Sequence, residues 1–95
     1  MQDEAFEWDN TKAESNVRRH GVTFEAACDV FSDPFALEWL DETHDRDEER
    51  LVILGMAEGR LLYVCYTFRE PRIRIISARL AEPYERRQYH NEGQA

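Results

Sequence analysis

The basic side chains of this sequence are unevenly placed. Residues 60–95 hold 7 basic and 4 acidic side chains, whereas residues 1–59 hold 5 basic and 16 acidic ones. Every cation of the C-terminal third is arginine, whose fork-shaped guanidinium matches the oxygens of phosphate or carboxylate. Arg69, Arg72 and Arg74 flank Glu70-Pro71, with Thr67 just before them and Tyr63 further along. Three cations beside hydroxyl groups suit a phosphate site; the alternative is a solvated arginine face that pairs with the acidic stretch Asp41 to Glu49. Near the other end Lys12, Asn16 and His20 recur every four residues, so a helix would present them on one face. A histidine titrating near neutrality beside a lysine suits proton transfer. Equally, a histidine just before a glycine can serve only the helix C-terminus, where its charged form is favoured.

These residues need elements to hold them. Phe6-Glu7-Trp8 reads as a short strand and Asp9 as the N-cap of a helix running to about Arg19, with Gly21 as its stop. Thr23 caps a second helix, in which Phe24, Ala27, Cys28 and Phe31 fall at i, i+3, i+4 and i+7, and Asp33-Pro34 ends it. From Phe35 the apolar period becomes two, which predicts a strand through Trp39. Asp41 to Glu49 predicts a solvated loop, Arg50 to Ala57 a strand, and Glu58-Gly59 a hairpin turn. Arg60 to Arg69 is apolar on both faces and therefore central in the sheet, and Arg72 to Arg79 follows a four-residue loop, Arg69 to Arg72. Pro83 opens a C-terminal helix that frays near Gly93. An α+β domain follows, with a short N-terminal strand, two helices, four antiparallel strands and a last helix.

Pairing the last two strands about Glu70-Pro71 sets Phe68 against Ile73, Thr67 against Arg74, Tyr66 against Ile75 and Cys65 against Ile76. Phe68, Tyr66, Val64, Ile73 and Ile75 then form a core face, and Arg69, Arg72, Arg74 and Thr67 gather on the other. In this register Arg79 falls on the opposite face from Arg72 and Arg74. Either a bulge intervenes or only one set of arginines forms the site.

The length of 95 residues allows one domain, expected over 1–95 with an ordered core from about residue 6 to 90, and excludes a multidomain enzyme. The net charge of −8 argues against an all-over nucleic-acid coat and against a membrane-surface helix. A free-standing DNA binder is disfavoured by the same charge and by the lack of a basic recognition helix. No apolar run approaches a membrane span, and Met-Gln-Asp-Glu does not open a signal peptide, so a cytoplasmic protein is expected. Cys28 and Cys65 lie in apolar periodic segments and read as core residues. No Ser/His/Asp spacing, glycine-rich phosphate loop or metal cluster is visible, so neither metal nor cofactor is expected. His44 and His90 receive no role.

Taken jointly, Phe6-Glu7-Trp8-Asp9, Lys12, Asn16, Arg19-His20-Gly21-Val22, Phe24, Phe31, Asp33-Pro34, Arg72-Ile73-Arg74-Ile75-Ile76-Ser77-Ala78-Arg79, Glu85-Arg86 and Tyr89 resemble the BrnT toxin family, over about residues 6 to 89. The resemblance implies a RelE-like fold, a growth-inhibiting endoribonuclease that needs no metal, and 2′-hydroxyl attack on the RNA phosphate. It also implies a BrnA-like ribbon-helix-helix antitoxin, with DNA contacted only through that partner. Carried over by motif position, Arg74, Arg79, His20 and Lys12 become the catalytic candidates and Arg69 and Arg72 phosphate-binding ones, with Thr67 added to the latter from the hairpin reading. The expected alternative is a non-catalytic module that keeps the fold and the antitoxin surface.

Overall fold

Capping side chains set the helix boundaries in the computed structural model of the protein, which describes residues 1–42 and 49–93. The Asp9 carboxylate accepts the Lys12 N–H at 3.1 Å and starts α1, Asn10–His20. Gly21, at φ 68°, ends it in the left-handed conformation that glycine tolerates best. Thr23 accepts the Ala26 N–H and starts α2, Phe24–Asp29, which tightens into a 3₁₀ turn over Val30–Ser32. The second helix is thus shorter than its apolar period suggested, and Phe31 belongs to the 3₁₀ turn.

Among the described residues the sheet has five strands, one more than the antiparallel four expected. β1 (Phe6–Glu7), β2 (Leu37–Leu40), β3 (Leu51–Ala57), β4 (Arg60–Arg69) and β5 (Arg72–Leu80) lie in the order β1-β5-β4-β3-β2. β2 to β5 are antiparallel as read from the sequence, but β1 pairs in parallel with β5, placing Phe6 beside Ile73 and Glu7 beside Arg74. The sheet is therefore mixed. A two-residue strand carries no periodicity from which a pairing partner could be read. Glu58 and Gly59, both at positive φ, make the β3–β4 turn. Arg69 pairs directly with Arg72, so the next hairpin closes over two residues, joined by a cis Glu70–Pro71 peptide bond.

A register shift in β5 decides which residues share a face. Phe68–Ile73, Thr67–Arg74 and Tyr66–Ile75 pair as expected, but Cys65 faces Ser77, and Ile76 is the extra residue of a bulge. Beyond the bulge the alternation is reversed. Arg79 therefore opposes Tyr63, on the same face as Arg72 and Arg74.

One sheet face is closed by α1 and α2: Trp8, Phe24, Ala27, Val30, Ile53, Val64, Tyr66 and Ile75 are buried together. Each large side chain there contributes roughly 1.5–3 kcal/mol by leaving water. Gly55 is needed where the 3₁₀ turn crosses β3, since a Cβ would meet Val30 at 2.9 Å. Phe68, expected in this core, is 52% exposed, because it lies at the hairpin end that the helices leave uncovered. On the other face α3 (Pro83–Gln88) and a π-helical turn over Tyr89–Gly93 bring Ala81 and Tyr89 against Leu54 and Leu61 at one end. Its hairpin end carries the arginines.

Candidate functional site

The three last-strand arginines share one face, and internal partners hold each of them. Arg72 Nε donates to the Asp3 carbonyl at 2.6 Å. Arg74 donates to the Glu7 carboxylate across the β1–β5 pairing at 2.6 Å, and this bond first, outweighing burial, holds the Glu7 carboxyl below its usual range. Arg79 makes a two-pronged contact with Glu85, at 2.9 and 3.0 Å, and its guanidinium carbon lies 3.9 Å from the centre of the Tyr63 ring. Glu85 is 2% exposed. Burial pushes its carboxyl up, but the Arg79 bonds, the Glu82 N–H and the Arg79 charge outweigh it and leave the net shift downward. Arg69 is exposed at the hairpin end. Thr67 is not at the surface: it is buried, and its hydroxyl donates to the Glu49 carbonyl. Residues 43–48 of the acidic stretch, His44 among them, lie outside the described residues, as does any pairing they make with the arginine face.

A second group of cations collects at the outer edge of β5. β1 covers that edge only as far as Arg74; farther along, the Asn16 carboxamide takes its place, donating to the Ala78 carbonyl at 2.8 Å and accepting the Ala78 N–H at 3.2 Å. The side chain thus stands in for the peptide group of a neighbouring strand. It also donates to the Val22 carbonyl at 2.9 Å, tying the turn after α1 to the same point. Anchored this way, α1 leans its 12-16-20 face over the bulge. The result is a cleft of about 340 Å³ lined by Lys12, Ser15, Asn16, Arg19, His20, Arg50, Ile76 and Ser77. Among the described residues, neither Lys12, Arg19, His20 nor Arg50 enters an ion pair.

The structure therefore brings Lys12 and His20 together, as their spacing implied, and adds Arg19 and Arg50. Arg19 follows Lys12 by seven residues and Asn16 by three, so the helical period carried that signal. Arg50 had none, being two strands away from β5. The cysteines are poor nucleophiles at neutral pH: burial first, then nearby carboxylates, pushes the Cys28 thiol up to about 12, and burial with Asp41 pushes Cys65 up to about 11. No three His, Cys, Asp or Glu side chains group as metal ligands among the described residues, and no helix there is long and apolar enough to cross a membrane.

A family model described as the ribonuclease toxin BrnT of type II toxin-antitoxin systems matches residues 8–85, from the buried Trp8 to the Glu85 that clamps Arg79. The chain belongs to the BrnT family. No curated protein matches it. BrnT membership places the chain among ribonuclease toxins and implies an antitoxin partner, since a type II toxin is paired with one. For a BrnT chain the α1 cleft and the arginine face are cationic surfaces on which RNA chemistry can be sought.

Proposed function

We propose that this chain is an endoribonuclease that works without a metal and that its reaction centre is the cleft between α1 and the β5 bulge. The observation that carries this reading is the convergence of Lys12, Arg19 and His20, outside any ion pair among the described residues, beside the Ser77 hydroxyl. Cations placed before substrate arrives stabilise the charge that develops on the phosphate in the transition state. The ribose 2′-oxygen attacks phosphorus while its proton is taken up, and the bond to the 5′-oxygen breaks as that oxygen gains a proton. A 2′,3′-cyclic phosphate and a 5′-hydroxyl result. His20 and Lys12 act in proton transfer, and Arg69, Arg72 and Arg74 guide the RNA backbone over the sheet. DNA, lacking the 2′-hydroxyl, is spared. Arg79, bound on both prongs to Glu85, serves by holding β5 rather than by touching the reacting atoms.

Inhibition follows from the same surface. A BrnA-like ribbon-helix-helix antitoxin places an apolar element with acidic residues over the cationic face, and its own dimer carries two toxin chains to DNA. The RNA acted on is cytoplasmic.

The test is incubation of the purified chain with end-labelled RNA in EDTA. Cleavage leaving cyclic-phosphate ends, reduced about 100-fold or more in His20→Ala, is the expected result; intact RNA, or full activity in a Lys12→Ala, His20→Ala double variant, overturns it. A second reading, a non-catalytic module retaining the antitoxin surface, is favoured by one observation: Arg74 and Arg79 are already occupied by Glu7 and Glu85. Expression without the antitoxin separates the two, since only a nuclease arrests growth.

A further inference from the structure

Arg50 precedes β3 by one residue and reaches the α1 cleft from the far side of β4. Its residue is half-buried, and its Nε is buried with no hydrogen-bond partner. Arginine is seldom placed this way without a pairing group, and a buried N–H left without an acceptor costs roughly 1–3 kcal/mol. Proximity to Lys12, Arg19 and His20 adds repulsion. An oxyanion entering the cleft would offset that repulsion by meeting the terminal nitrogens of the Arg50 guanidinium. The lining includes no Phe, Tyr or Trp, so it offers a polar cradle for a sugar-phosphate backbone rather than an aromatic platform for a base.

We propose that Arg50 is a phosphate-binding residue, whose guanidinium takes the non-bridging oxygens of a phosphodiester held opposite Lys12 and Arg19 and beside Ser77. This deepens, and rests on, the ribonuclease reading of the cleft. Its specificity is for the backbone, independent of base identity.

Binding is measured apart from cleavage, with a fluorescent RNA oligonucleotide whose 2′-hydroxyls are replaced by fluorine, so that it cannot be cut. Arg50→Met, which keeps an apolar stem, is expected to weaken binding about tenfold and to reduce the salt dependence by about one counterion. Its melting temperature should equal or exceed that of the unaltered chain, because an unsatisfied donor has been removed. Arg50→Lys, keeping the charge without the fork, should bind with intermediate affinity. Unchanged binding in Arg50→Met overturns the proposal; so does a fall in melting temperature of several degrees, which would mark a structural arginine. If the unaltered chain binds the analogue but leaves natural RNA intact, the ribonuclease reading fails while the role of Arg50 is still decided by the binding series.

Discussion

Arg79 and Arg50 reach the same side of one sheet and have opposite surroundings. Arg79 spans Glu85 and Tyr63, with Glu82 at 3.9 Å, and so its charge is spent inside the chain. Arg50 points into a cleft shared with three other basic side chains and outside any ion pair among the described residues. What separates a structural cation from a binding one is whether the fold places a carboxylate opposite it. The capping box at the start of α3 supplies that carboxylate for Arg79: Glu85 accepts the Glu82 N–H at 2.8 Å and faces back toward β5.

If this division is right, Arg79→Ala has the largest effect on folding. It strands a buried carboxylate, which costs about 3–5 kcal/mol, read as a lower urea midpoint. Loss of RNA cleavage in that variant then tracks loss of folded protein, and a well-folded Arg79→Ala chain without activity would break the comparison.

The same pair sets an acid limit. Because the folded-state Glu85 carboxyl lies below the ordinary value of 4.5, its contribution is complete above that value and is lost as pH falls through the lower, folded-state one. Glu85→Gln should therefore be less stable than the unaltered chain at neutral pH and lose less stability on acidification below about 4.5. Parallel curves of urea midpoint against pH would show that Glu85 is not the group responsible.

Asn16→Ala should cost about 1–3 kcal/mol by leaving the Ala78 peptide group without its partner. It should also loosen α1 against β5, so that RNA affinity falls in protein that is still folded. Hydrogen exchange at the Ala78 amide reports the first effect and analogue binding the second.

Lys12→Ala has the smallest effect on stability, within about 0.5 kcal/mol for an exposed side chain, yet it should weaken RNA binding and lower the salt slope by about one. Arg74→Ala falls between Arg79→Ala and Lys12→Ala in melting temperature, because its Glu7 pair is partly exposed.

Local chemistry made much of this readable in one dimension. Asp9, Gly21, Thr23 and Asp33-Pro34 act on backbone groups a few residues away, and the helix limits they mark are those found, apart from the shortening of α2, whereas the strand expected from Phe35 begins at Leu37. The four-residue spacing of Lys12, Asn16 and His20 likewise survives into the cleft, since a helix converts spacing directly into a face. Centring the last hairpin on Glu70-Pro71 also gave its register as far as Tyr66–Ile75.

Tertiary structure decided what alternation cannot encode. A bulge adds one residue without changing the polarity pattern, so only pairing with β4 could place Arg79 on the arginine face. The parallel seat of β1, the exposure of Phe68 and the burial of Thr67 depend on which segments arrive from elsewhere in the chain. The roles of the cations depend on it too: a guanidinium has the same chemistry at every position, and a carboxylate many residues away determines whether it remains available to an anion.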